Sequence, residues 1–165
     1  MLVIGIDPGI ATTGYGLVQE AQDGNLRLVA YGVIETPSGT PLPERLLLLH
    51  SQLSEILLLH HPASGAVEKL FFQRNVRTAM TVGQARGVAL LALAQAGLPT
   101  AEYTPLEVKQ AVVGYGAADK NQVQQMVRAL LGLAEIPKPD DAADALAVAI
   151  CHAHSARFHR FLQDA

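Results

Sequence analysis

The chain has 165 residues, half of them hydrophobic, and a formal net charge of −3, enough to bury one good core and short for two. Its one cysteine, Cys151, excludes an internal disulfide and fits a reducing cytoplasm. Ser51, Gln52, Ser54 and Glu55 interrupt the apolar runs 46–49 and 56–59, and nothing resembles a secretory signal, so no membrane partner is expected.

Leu2-Val-Ile-Gly-Ile6 reads as a central strand that ends on Asp7, where Pro8 and Gly9 stop it. A strand buried on both faces rarely carries a charge unless that charge is paired or holds a metal. Asp7 therefore has two readings: a cation ligand at the carboxyl edge of a sheet, or part of a Gly-rich turn whose amides cradle a phosphate. Strands at 14–19 and 26–35 follow, joined by the hairpin signal Asp23-Gly24. Residues 36–43 form a loop. Leu46, Leu49, Leu53, Ile56 and His60 recur at helical spacing over 44–61, and Pro62 ends the helix. A short strand at 65–70 contains Glu68.

Residues 71–75 form a connecting loop with two aromatics, Phe71 and Phe72, beside Gln73, Arg74 and Asn75. The long helix 76–96 carries Ala79, Gly83 and Gly87 at four-residue spacing, a ridge suited to close packing on the sheet or on a second subunit. Gly97 caps it and Pro99 prevents its resumption. A strand at 100–104, a short helix at 105–113 bearing Lys109, a loop at 114–118 and a helix at 120–133 come next. A Pro-rich connector leads to the last helix, 140–154. Residues 1–155 make one domain, and 156–165 are expected to be a frayed tail. Three antiparallel strands followed by alternating strands and helices imply an α/β fold, a mixed sheet with helices on both faces.

Charge is segregated along this order. Between Lys69 and Arg128 seven basic residues face three acids, while the acidic excess lies outside that stretch. That distribution suits a nucleic-acid face as well as it suits an ordinary uneven surface. Asp7 and Glu68 sit inside apolar strands, and Asp141 and Asp144 are three apart on the last helix, about 5–6 Å apart between Cβ atoms. Ala-rich neighbours offer no relief for that repulsion; a cation would. Asp140 after Pro139 reads most simply as a helix N-cap, Asp141 alone as a first-turn acid, and Glu68 alone as the exposed side of an edge strand. Together, Asp7, Glu68, Asp141 and Asp144 are read as an oxygen-ligand site for Mg²⁺ or Mn²⁺. His152 lies two turns from Asp144, about 12 Å along the axis and too far to share a metal.

Gly5-Ile-Asp-Pro-Gly9, Ala66-Val-Glu68, Gly83-Gln-Ala-Arg-Gly87, Val108-Lys-Gln110, Val113-Gly-Tyr-Gly116 and Asp141-Ala-Ala-Asp-Ala-Leu-Ala147 follow one another in an order that resembles the RuvC family of bacterial Holliday junction resolvases. The resemblance covers nearly the whole chain. It implies an RNase H-like, five-stranded mixed sheet ordered 3-2-1-4-5 with the second strand antiparallel to the others. It also implies a structure-selective endonuclease that resolves four-way (Holliday) DNA junctions in recombination and repair. Paired symmetric nicks would arise by two-metal-ion hydrolysis and leave 5′-phosphate ends.

Carried over by residue, Asp7, Glu68, Asp141 and Asp144 match the family's catalytic, metal-binding carboxylates for two Mg²⁺, with Mn²⁺ able to substitute; some relatives place a histidine where this chain has Asp141. Phe71 matches an aromatic that wedges against bases, with core packing as the other reading; Phe72, Arg74 and Arg77 adjoin it as DNA-binding residues. Lys109 and Lys120 match basic residues near the scissile phosphate. A homodimer, the branch-migration proteins RuvA and RuvB as partners, and a bacterial cytoplasmic location are implied too. A sugar-kinase or actin-like ATPase would need a second domain and a second Gly-rich turn, which this length does not hold. A non-catalytic junction-binding module would be expected to lack one of the acids, and a general RNase H would lack the Phe-Phe-Gln-Arg loop and this motif order.

Overall fold

A computed structural model describes residues 1–69 and 76–163. Phe71, Phe72 and Arg74 lie outside the described residues, and Arg77 falls in a helix without a described side chain. β1 (Leu2–Asp7), β2 (Thr12–Glu20) and β3 (Leu26–Glu35) form an antiparallel meander. β2 starts two residues before the expected 14, because β-branched Thr12 and Thr13 pair with Glu35 and Ile34. α1 (Leu42–His60) leads to β4 (Ser64–Glu68), parallel to β1, and α2 (Val76–Gln95) leads to β5 (Thr100–Tyr103), parallel to β4. The sheet order is β3-β2-β1-β4-β5, the RNase H-like arrangement. α3 (Pro105–Val113), α4 (Lys120–Leu130) and α5 (Asp140–Gln163) complete the chain's elements.

α1 starts two residues earlier than expected and ends one earlier, and α2 ends one residue short; the larger differences are at the ends of α4 and α5. α4 stops at Leu130 rather than 133, because Gly132 adopts φ 63° and the Gly132 and Leu133 amides turn back onto the Ala129 and Arg128 carbonyls. α5 does not end at 154 but continues to Gln163, through the start of the expected tail. No glycine or proline interrupts the chain from Asp140 to Gln163, and the Ser155 hydroxyl donates to the Cys151 carbonyl within the helix (2.9 Å).

The sheet buries both faces. Ile4, Ile6, Leu17 and Val67 pack under α1 and α2 against Leu49, Leu53, Ala89 and Leu93. Val3, Val18 and Ala66 pack on the other side against Val112 and Val127 of α3 and α4 and Leu146 and Ile150 of α5. Side chains alternate along a strand, so Gly5 and Asp7 share the α5 side with Val3, and Glu68 shares it with Ala66.

Glycine decides how close α5 can come. A Cβ on Gly5 would overlap the Ala145 carbonyl oxygen and the Ala149 amide nitrogen, and one on Gly14 would overlap the Asp141 carbonyl. Opposite them α5 presents the buried small residues Ala142, Ala145 and Ala149. Small against small lowers the helix onto β1 and β2, and it is this seat that carries Asp141 and Asp144 to the end of β1.

On the opposite side, α2 turns Ala85, Ala89, Ala92 and Leu93 to the sheet. Gly87 faces outward, with nothing among the described residues within 4 Å of where its Cβ would stand. Met80 (66% exposed) and Leu91 (51%) lie on the same outward stripe. Gly87 and its stripe therefore do not serve packing on the sheet.

Candidate active site

Three elements that are distant in sequence bring the four predicted acids together. Asp7 and Glu68 are the last residues of the parallel neighbours β1 and β4, and Asp141 and Asp144 occupy the first turns of α5. All four are half-buried. Asp7 responds most to the cluster: burial, followed by the charges of Glu68, Asp144 and Asp141, pushes its pKa up to about 8, and its carboxyl donates a hydrogen bond to Glu68. Burial and the Asp144 charge also raise Glu68, while the Asp7 hydrogen bond, Lys120 and Lys109 pull the other way. Asp144 is raised by burial, opposed chiefly by its hydrogen bond to Lys120. At neutral pH Asp7 and Glu68 thus hold a proton between them, as expected of two carboxyls that cannot both ionise.

Positive charge reaches the rim from α3 and α4. A cleft is lined by Glu68, Lys109, Lys120 and Asp144 over an apolar floor of Val108, Val123 and Ala147. A capping box between Thr104 and Glu107 starts α3, and a second between Asp119 and Gln122 starts α4. These fixed starts place Lys109 one turn into α3 and Lys120 first in α4. Lys120 Nζ donates to Asp144 Oδ2 at 3.0 Å and pairs with Asp140 Oδ2 at 3.2 Å. Burial works against its charge, but hydrogen bonds with Asp144 and Asp140 outweigh burial and raise its pKa.

Among the described residues, no three His, Cys, Asp or Glu side chains surround one point as a ready-made cation cage. The reason is visible in the pairing: Asp7 and Glu68 face each other through a proton, and Asp144 is drawn to Lys120. Four carboxylates gathered at one place, three of them with pKa values raised by burial and by one another's charge, are nonetheless an oxygen-only donor set short of positive charge, which fits hard divalent cations.

The phosphate-cradle reading of the Gly-rich turn loses ground. The Gly9 amide donates to Thr13 Oγ1 (3.3 Å), which in turn donates to the Gly9 carbonyl (2.6 Å), so the turn is closed on itself. Asp140, read from sequence as an N-cap, instead directs its carboxylate to Lys120 and to the Gln124 amide (3.1 Å). The four-residue spacing of Lys120 and Gln124 was the available signal for this, since such pairs share a helix face. His152 is buried away from the acids, between Tyr103 Oη (3.0 Å) and Ser64 Oγ (2.9 Å). No described helix is long and apolar enough to cross a membrane.

The family model for crossover junction endodeoxyribonuclease RuvC matches residues 3–152. The crossover junction endodeoxyribonuclease RuvC of Chloroflexus aurantiacus is 64% identical over 156 residues, covering 94% of each chain. The structure of Thermus thermophilus RuvC superposes with a TM-score of 0.90 at 43% identity, covering 96% of this chain and 97% of that one. The same protein in complex with a Holliday junction substrate gives 0.88 at 40% identity, covering 96% of both. On its motifs, its sheet order and these likenesses, the chain belongs to the RuvC family of crossover junction endodeoxyribonucleases.

Proposed function

We propose that this chain resolves four-way DNA junctions by cutting two symmetry-related strands, one at each acidic cluster of a homodimer. The observation that carries the reading is the meeting of Asp7, Glu68, Asp141 and Asp144 at one sheet edge, with Lys109 and Lys120 on the rim of the same cleft. Asp7, Glu68, Asp141 and Asp144 would hold two Mg²⁺, with Mn²⁺ able to replace it. Bound there, the cations supply a water of lowered pKa and charge stabilisation at phosphorus. The carboxylates give up the proton that Asp7 and Glu68 share and fix where the phosphate must sit. Lys120 Nζ offsets negative charge that develops on the phosphate, a contribution on the order of 10²–10³ in rate.

Lys109 contacts the strand backbone, and the residues that follow Glu68 in sequence extend the DNA surface. There Phe71, with Phe72 beside it, stacks on unpaired bases for about 1–3 kcal/mol per base, and Arg74 and Arg77 take phosphates. Two opposed cuts call for two sites related by a twofold axis. The outward stripe Met80, Gly87 and Leu91 of α2 is the face proposed for that contact. Each cut leaves a 5′-phosphate, and RuvA and RuvB deliver junctions to the dimer in the cytoplasm.

The test is cleavage of a synthetic mobile four-way junction beside its linear duplex, in Mg²⁺ or EDTA. Paired, ligatable nicks on the junction alone, abolished by EDTA, are expected. Asp7→Asn should bind the junction and fail to cut, and full cutting by that variant would remove the metal assignment.

A further inference from the structure

Lys120 is the first residue of α4, the end where the helix's own partial charge is positive, so nothing in α4 favours a cation there. Two acids of α5 hold it instead, Asp144 at 3.0 Å and Asp140 at 3.2 Å. These acids differ. Asp144 belongs to the acidic cluster and is 31% exposed, whereas Asp140 stands at its open rim, 65% exposed. Both Asp140 oxygens are occupied from α4: Oδ2 by Lys120 and Oδ1 by the Gln124 amide. Lys120 and Gln124 stand one turn apart on one face, so the same helix grips the carboxylate twice.

We propose that Asp140 is a positioning residue, which with Gln124 keeps the Lys120 ammonium at the cleft when Asp144 is engaged with the reaction. The inference rests on the reading above that Lys120 meets the scissile phosphate. An ammonium has three donors; Asp140 takes one and Asp144 another, which leaves the third for a phosphate oxygen. Once Asp144 spends its charge elsewhere, Asp140 is the remaining described anchor of a long, flexible stem. Both partners are more than half exposed (52% for Lys120 and 65% for Asp140), and such pairs add little to stability. Losing Asp140 should therefore slow the reaction rather than unfold the protein.

The experiment compares Asp140→Asn, Asp140→Glu, Lys120→Ala and the double variant Asp140→Asn/Lys120→Ala. It measures single-turnover junction cleavage in Mg²⁺, and junction affinity in EDTA. Asp140→Asn is expected to cut about 10-fold more slowly, a modest loss of orientation. Its junction affinity in EDTA should be unchanged or tighter, since an anion has left a phosphate-facing surface. Asp140→Glu should recover most of the rate, and Asp140→Asn should add no loss in the Lys120→Ala background. Multiplicative losses in the double variant would place the effect of Asp140 elsewhere and overturn the proposal. Weaker junction binding in EDTA with an intact rate at saturation would overturn it too, by making Asp140 part of the contact surface. A full-rate Asp140→Asn beside a crippled Lys120→Ala defeats the role of Asp140 alone. A full-rate Lys120→Ala defeats the role given to Lys120 and this inference with it.

Discussion

Replacing Gly5 by alanine tests how the acidic cluster is held together. The new Cβ would stand 2.9 Å from Ala149 Cα and overlap the Ala145 carbonyl and Ala149 amide more deeply. Carbon pairs settle at about 3.5–4.0 Å, so α5 must retreat by at least ~0.6 Å, and by on the order of 1 Å once the carbonyl is cleared. β1 is pinned between β2 and β4, so the helix is the part that moves. Asp141 and Asp144 travel with it; Asp7, two residues along β1, stays. A ~1 Å misplacement of a reacting group costs on the order of 10²-fold in rate. Overpacking itself destabilises by about 1–3 kcal/mol, which for a chain of this length lowers Tm by roughly 2–4 °C per kcal/mol. Single-turnover junction cleavage, run well below the melting point across a Mg²⁺ titration, should show the slower cut and a higher Mg²⁺ requirement. Wild-type rate and Mg²⁺ dependence in Gly5→Ala would refute the idea that the glycine seat sets the geometry of the site.

In the cation-free protein the folded Asp7 keeps its proton up to about pH 8, whereas the unfolded chain releases it near the ordinary aspartate value of 3.8. The stability linked to that proton is fully present below about pH 4 and is lost as pH rises through about 8, on the order of several kcal/mol in all. Thermal melts in EDTA should therefore fall from pH 5 to pH 8, and Asp7→Asn should flatten the slope; an unchanged slope in that variant would assign it to other groups. Because ligation needs the deprotonated acid, apparent Mg²⁺ affinity should climb over the same range, as read by Mg²⁺-dependent shifts in Tm at each pH. On α2, Gly87→Arg meets open space and should raise monomer stability by up to about 0.8 kcal/mol through helix propensity. It should also break the dimer in sedimentation and replace paired cuts with single nicks. A variant that remains dimeric would move the contact away from that stripe.

Much of this was legible before any coordinates. Asp7 and Glu68 stand out because a carboxylate at the end of an apolar strand has few explanations, and the spacing of Asp141 and Asp144 sets them on one helix face. Periodicity cannot say how near two elements come, so the seat of α5 on Gly5 and Gly14 was hidden: a glycine in a strand looks the same whether it faces a helix backbone or water. The exposure of Gly87 was hidden for the same reason, and its ridge suited sheet and partner equally. Asp140 misled because proline followed by aspartate is a common cap signal, and only the approach of α4 shows that Lys120 and Gln124 claim both its oxygens. At the ends of elements, Gly132 closing α4 was a readable signal, while the length of α5 came from an absence of breakers.

The seat of α5 also orders the chain's life in time. Asp7 is synthesised well before Asp141 and Asp144 of α5, and neither can reach Asp7 until enough of α5 has emerged to settle on Gly5. Before that moment the nascent chain holds half of its acids and no surface to bring the other half in. On the proposed function, the prediction is that a chain truncated before α5 cuts nothing, because its site cannot assemble.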